Sequence, residues 1–371
     1  MLHLADLHLG SRPNLPLPLQ EEVYRNRNKV IETAVDLALD PGQGIHMVII
    51  VGDLFDNHQP EPVLIDETIR HLKRLESAGI AVVTVPGNHD EITYIDSVYR
   101  REAKRWPGIL VTEPMPTLIT KINVNGDVCN LVSMAYTGGV SKTDKPLANF
   151  PLAEKQGVNL ALFHGSLDWN TGERSVPLDG TALAAAGYDY IALGHIHRGG
   201  KRKPGNSLAN YCGMVAGKSF NDPGVGYWTI VTLGDGPARI TTLSANIRPW
   251  RVVDMDVSVF NEYEELEEAI KQLIEPEDII KIRLIGTIAF DPNIERLESS
   301  LNNLCRYIEV ENNTEGWKPD MVSKYAAEPT IRGFFVRRLQ KQLTEVNDPE
   351  KEKVIRKALW RGLLALKGGN N

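Results

Sequence analysis

The chain is poor in the residues that staple or anchor proteins. Its 371 residues include only three cysteines, Cys129, Cys212 and Cys305, widely spaced and with no C-x-x-C pair. That excludes a disulfide framework and a thiolate zinc site, and it suits incidental thiols in a reducing cytoplasm. No apolar run approaches the roughly 20 residues that span a bilayer, so no membrane segment is expected, and no secretory pattern opens the sequence. A G-x-x-x-x-G-K-[ST] loop is also missing, so any ATP dependence has to come from a partner. Internal repeats and low-complexity tracts are absent. Neither sign of charge dominates: 41 Lys and Arg against 48 Asp and Glu leave a net charge of −7. This argues against a nucleic-acid binder that uses its whole surface, but it leaves room for a local basic patch.

What is present describes a soluble globular protein, with 42% apolar and 24% charged residues. A length of 371 exceeds the usual single core, so more than one domain is expected. Up to about residue 235, short apolar runs alternate with amphipathic stretches such as Glu21–Leu39 and Pro62–Ser77. In the second stretch Leu64, Ile65, Ile69, Leu72 and Leu75 recur at helical spacing. Near-continuous apolar strands parted by helices predict an α/β domain, and the further runs "SLANYCGMVA" and "GYWTIVTL" suggest a second sheet. The expected architecture is a layered α/β/β/α two-sheet core over 1–246. A small α+β cap of β-α-β-α-β order follows over 247–315. A linker and two C-terminal helices occupy 316–371, the second with Asp348 as N-cap and Pro349 at its first position.

The chemistry gathers where the apolar runs stop. "MLHLA" is followed by Asp6 and His8, "HMVIIV" by Asp53, and "IAVVTV" by Asn88, His89 and Asp90. "VNLALF" is followed by His164, and "YDYIAL" by His195 and His197. Five of the nine histidines sit at these ends. Open α/β sheets bind ligands beyond the carboxyl ends of their strands, so five segments are expected to converge. Asp, Asn and His donors without thiolate suit Mn²⁺ best, with Fe²⁺, Zn²⁺ or Mg²⁺ as alternatives. Asp53, after the most apolar strand, is the natural bridge between two ions, a pair of which can clamp a phosphoryl oxygen and acidify a water. His89 is placed to act as general acid, and Asp90 either orients His89 or caps the next helix. The competing reading of these residues is a set of solvated turns, which their shared position disfavours. His3, His46 and His71 are assigned structural roles.

In order along the chain, D-x-H, G-D-x-x-D, G-N-H-D, H-G and G-H-x-H resemble the calcineurin-like metallophosphoesterase superfamily. The wording "LHLADLHLG", "GDLFD" and "PGNHD" further resembles the SbcD-type DNA repair exonucleases and their YhaO-like relatives. The resemblance implies that Asp6, His8, Asp53 and His197 hold one metal and that Asp53, Asn88, His164 and His195 hold the other. It also implies DNA as substrate and an SMC-like coiled-coil ATPase as partner, in a DNA repair complex, with homodimerisation left open. Some members carry a histidine directly after "GDLF" where this chain has Asp56, so the roles of Asp56 and His58 stay open. The first strand is short, and whether Met1 is the true start is also open.

Two further groups are expected to bind partners. Arg198, Lys201, Arg202 and Lys203 come directly after the last histidine pair, and Arg12 and Arg174 lie on neighbouring loops. They suit phosphate neutralisation, against the plainer reading of a solvated turn. Phe334, Phe335, Leu339 and Leu343 on one C-terminal helix, with Leu359, Trp360 and Leu363 on the other, offer an apolar face. It either packs onto the body or docks a partner helix. The rival functions are a phosphoesterase of small molecules or phosphoproteins, and a non-catalytic scaffold on the same fold.

Overall fold

The computed structural model describes residues 1–138, 145–168, 174–234 and 236–366. It divides into two compact units, Met1–Pro249 and Trp250–Asn371.

In the first unit, β1 (Leu2–Leu4) leads through α1 (Leu19–Asn28) and α2 (Val30–Leu39) to β2 (Met47–Val51). Then come α3 (Pro62–Ser77), β3 (Ala81–Val85), α4 (Val98–Glu102) and β4 (Ile109–Leu110). The next stretch holds β5 (Thr117–Val124), β6 (Asp127–Ser133), β7 (Val158–His164), β8 (Ser166–Leu167) and β9 (Pro177–Leu178). The unit closes with α5 (Gly180–Ala186), β10 (Tyr190–Gly194), β11 (Gly200–Arg202), β12 (Leu208–Tyr211), β13 (Tyr227–Gly234) and β14 (Gly236–Ser244). Two six-stranded mixed sheets result, ordered β14-β13-β1-β2-β3-β4 and β11-β12-β10-β7-β6-β5.

Side-chain alternation explains the layering. β2 is the run MVIIV and all five residues are buried, as befits a central parallel strand covered on both faces. Each fully buried Val or Ile there contributes about 1.5–3 kcal/mol of transfer free energy. Ile31, Ala34, Val35 and Ala38 of α2 share that core with Leu64, Ile65, Ile69, Leu72 and Leu75 of α3. On β7, Leu160 and Leu162 face the same core, whereas Ala161 and Phe163 join Leu183 and Ala186 of α5 on the far side. Period-two strands thus separate helix, sheet, sheet and helix into the expected four layers. His3 is buried on β1, with Nδ1 2.9 Å from the Tyr190 hydroxyl.

The second unit runs β15 (Arg251–Asp256), α6 (Tyr263–Leu273), β16 (Ile279–Ile285), β17 (Thr287–Ile288), α7 (Ile294–Leu301) and β18 (Tyr307–Asn312). β19 (Gly316–Trp317), α8 (Pro319–Ala326), α9 (Ile331–Glu345) and α10 (Pro349–Ala365) complete it. β15, β16 and β18 pair in parallel, so the β-α-β-α-β order closes a small sheet. Its core takes Leu266 and Ile270 from α6 and Leu297 and Leu301 from α7, and also Val336, Leu359 and Leu363 from the last two helices. The C-terminal helices therefore belong to the same packed body as the β15-β16-β18 sheet. The Thr330 hydroxyl accepts the Gly333 N–H at the start of α9, and the Asp348 carboxylate accepts the Glu350 N–H ahead of α10. No helix among the described residues is long and apolar enough to cross a membrane.

Candidate metal centre at the strand ends

The carboxyl ends of β1, β2, β3, β7 and β10 bring the seven expected ligand residues together. Donor atoms of Asp6, His8, Asp53 and His197 all lie within 4.8 Å of one another. Around the other side of Asp53, His164 Nε2 stands 3.4 Å from its carboxylate and 3.0 Å from Asn88 Oδ1, which lies 2.9 Å from His195 Nδ1. Asp53 is the residue common to both groups.

The backbone is bent to make this possible. Asp6, His8, Asp53 and His195 all adopt positive φ, at 55°, 44°, 50° and 95°. Left-handed conformations are costly for residues with a Cβ and collect at functional sites, where surrounding structure holds them. Two glycines make room. At Gly52 (φ 82°) a methyl group would run into the His164 ring, and at Gly87 it would overlap Asp53. Only a missing side chain lets these loops touch.

Hydrogen bonds fix how the rings present themselves. His8 Nδ1 lies 3.1 Å from the Asp56 carboxylate, His197 Nδ1 2.6 Å from Asp222, and His164 Nδ1 2.9 Å from the Val51 carbonyl. Each partner accepts only, so each ring donates from Nδ1 and turns Nε2 inward, where His8 and His197 present a lone pair and His164 carries a proton until a cation takes its place. The Nε2 atoms of His8 and His197 then face each other at 3.1 Å. Two lone pairs at that distance beside the Asp6 and Asp53 carboxylates make a place for a cation, so the residues present fit divalent metal.

The charge balance agrees. Burial alone would push the Asp53 carboxyl up, but His164, then His8 and His89, hold it well below the ordinary carboxylate range. Burial alone would lower His164, yet the Asp53 charge raises it to about 9, so in metal-free protein a proton takes the place of a cation. Burial and the neighbouring His164 charge lower His195 to about 3, leaving it a neutral donor.

The structure corrects one sequence expectation. Asp90 neither orients His89 nor caps a helix. It is buried and accepts the Gly87 and Phe55 N–H groups and the Tyr99 hydroxyl, tying two strand-end loops together. Burial, then the Asp53 charge, raises its pKa to about 6. The partner of His89 is the Asp56 carbonyl, 2.9 Å from Nδ1, while the His89 N–H donates to Asp53 at 2.8 Å. Asp56 thus serves twice, through its side chain on His8 and through its backbone on His89. His58 is not among the converging residues; its ring stacks on Tyr94.

Sequence reasoning missed three residues. Asp222 holds His197, Lys218 Nζ lies 4.0 Å from Asp56, and the buried Arg27 donates to the carbonyls of Leu7, Ala216 and Gly217. None carries a local motif, and none follows an apolar run directly, so no sequence signal marks them.

The basic residues split into two groups. Arg198, Lys201, Arg202 and Lys203 are exposed on and around β11. Arg12 is already committed to Glu21 at 2.6 Å and to the face of Tyr24, and Arg174 donates to the Asn88 carbonyl near Glu91. Of the apolar C-terminal residues, Leu359 and Leu363 are core, so they cannot form a docking face without unfolding the unit. Phe335, Leu339, Leu343 and Trp360 pack partly against that core, and Phe334 is 60% exposed.

Comparison with known proteins places this geometry. The profile of the calcineurin-like phosphoesterases matches residues 1–199, more than half of the chain. A DNA double-strand break repair protein Mre11 of Sulfolobus acidocaldarius is 25% identical over 329 residues, covering 83% of this chain and 80% of that protein. The Mre11 of Methanosarcina mazei is 24% identical over 302 residues, 77% of this chain but only 45% of that protein. The metallophosphoesterase YhaO of Bacillus subtilis is 24% identical over 249 residues, 63% of this chain and 58% of that protein. Apart from the Sulfolobus acidocaldarius protein, the chain thus spans about half the length of these relatives. The fold, the profile match and the converging donors agree: this chain belongs to the calcineurin-like phosphoesterase family, whose members use a dinuclear divalent metal site.

Proposed function

We propose that this protein is a binuclear-metal phosphodiesterase acting on DNA, the cytoplasmic nuclease subunit of a repair complex driven by an SMC-like coiled-coil ATPase. The observation that carries the reading is the Asp53 carboxylate shared by two groups of converging donors. The names of the Mre11 relatives support DNA as the substrate. Asp6, His8, Asp53 and His197 hold one ion, and Asp53, Asn88, His164 and His195 the other; a thiolate-free donor set favours Mn²⁺. Ions held there would supply polarisation of a phosphoryl oxygen and acidification of a water.

The chain's own groups do the rest. Because His89 keeps its Nδ1–H on the Asp56 carbonyl, the imidazolium form gives its Nε2 proton to the departing sugar oxygen and is left as the neutral Nδ1–H tautomer. Asp56, Asp222 and the Val51 carbonyl keep the ligand imidazoles in the tautomer that presents Nε2. Arg198, Lys201, Arg202 and Lys203 neutralise flanking phosphates. Phe334, exposed on α9, marks the part of the C-terminal helices left for the ATPase.

The test is hydrolysis of linear DNA, a simple phosphodiester and a phosphomonoester by purified protein loaded in turn with Mn²⁺, Mg²⁺, Zn²⁺ and Fe²⁺. DNA cleavage supported best by Mn²⁺ is expected. Rapid monoester hydrolysis with intact DNA would replace this reading with a small-molecule or phosphoprotein phosphatase.

A further inference from the structure

Beside the His89 anchor lies a feature that metal binding does not use. The chain turns from Asp56 to His58, and the His58 imidazole stacks on Tyr94 with centroids 4.1 Å apart and planes inclined by 23°. His58 lies two residues from Asp56, so its Cα is within about 7 Å of the Cα whose carbonyl holds His89. The two segments are tied rather than loosely apposed. The Val98 N–H donates to the His58 carbonyl at 2.8 Å, and Gln59 donates to Asp96. Although one face of Tyr94 is covered by His58, the residue remains 46% exposed, and the adjoining Ile95 is 88% exposed. A ring pair held in place by two backbone and side-chain ties, half-exposed and continued by an exposed aliphatic side chain, offers a pre-ordered surface on which a flat apolar group can stack.

We propose that Tyr94, backed by His58, is a stacking platform for a nucleobase of the DNA strand whose phosphate is being cut. The proposal rests on the nuclease reading and specifies one of its substrate contacts. Charge selects a base over the backbone. The Asp96 carboxylate stands 3.8 Å from His58 Nε2, so this rim disfavours a phosphate while leaving a neutral base unopposed. The platform is joined to the His89 anchor through the short turn from Asp56 to His58, so a strand stacked on Tyr94 is held beside the segment that positions His89. Stacking of this kind is tolerant of sequence, as every base has a π-face.

The experiment compares wild type, Tyr94→Ala and Tyr94→Phe in Mn²⁺ on single-stranded oligonucleotides that are either intact or carry one abasic nucleotide scanned through the strand. On intact strands Tyr94→Ala is expected to raise KM roughly 5- to 150-fold with kcat little changed, and Tyr94→Phe to restore it. Wild type is expected to lose the same factor when the abasic position meets the platform, and Tyr94→Ala to be indifferent to it. Unchanged metal content and melting temperature separate this from misfolding. Equal KM for wild type and Tyr94→Ala on all strands overturns the platform alone. If wild type leaves every strand intact, the nuclease reading fails and the platform fails with it.

Discussion

The two units of this chain solve the folding problem in opposite ways. In Trp250–Asn371 the sequence mostly does what local rules ask, with Asn293 alone among its described non-glycine residues at positive φ and the buried Asp278 paired with Arg251. Amphipathic helices cover a parallel sheet, Thr330 and Asp348 cap their helices, and Leu301 and Leu363 disappear into one apolar core. In Met1–Pro249 the same rules hold through the strands and break at their ends. There four of the expected ligand residues take positive φ, Asp53 and Asp90 are buried close together, and imidazoles crowd at 3.1 Å. The contrast teaches that the layered core supplies the stability and the strand ends consume it. Strain and buried charge persist where a cation and a substrate offset them.

The contrast can be broken most sharply at His89. Replacing it with alanine is expected to lower DNA cleavage by about 10²- to 10⁴-fold, equivalent to about 3–5 kcal/mol of barrier, while bound Mn²⁺ measured by elemental analysis stays at two ions. Loss of an ion as well would move His89 into the ligand set, since its donor atoms also cluster with those of His8 and Asp56. Leu363→Ala should cost about 2–5 kcal/mol in urea unfolding, with metal content unchanged, because it opens a cavity in the second unit only. A variant that also sheds metal would show that the two units do not tolerate damage independently.

Asp222→Ala should weaken Mn²⁺ affinity about 10- to 100-fold by freeing the His197 ring, a loss that excess metal restores. The smallest effect concerns His3, buried with a pKa of about 3 against the ordinary 6.5. Above pH 6.5 both folded and unfolded forms are neutral and this contribution to stability is complete. As pH falls from 6.5 toward 3 only the unfolded chain takes up the proton, so stability declines by about 2 kcal/mol at pH 5. His3→Gln should lose correspondingly less between pH 7.5 and pH 5 in denaturant titrations.

Much of the site is legible in the sequence because each ligand comes after an apolar run, and parallel strands deliver their ends to one edge. Asp6, His8, Asp53, Asn88, His164, His195 and His197 can be picked out for that reason alone. Asp90 misleads because adjacency to His89 suggests contact, while the backbone turns its side chain to Gly87, Phe55 and Tyr99. Asp222 is invisible because an aspartate in a turn has no signature until a ring lies 2.6 Å away. Arg27 looks like one more charge on an exposed helix, and only its carbonyl partners reveal it as buried. In the second unit the helical spacing of Leu359 and Leu363 marks an apolar face but cannot say what covers it; the cap core does.

Asp56 grips one histidine by its carboxylate and another by its carbonyl. Under the proposed function, a shift of that single turn by an ångström or so would disturb ion capture and proton delivery together. One turn therefore sets the orientation of two imidazoles together, so a substitution that moves it reaches both rings, however far from either the change is made.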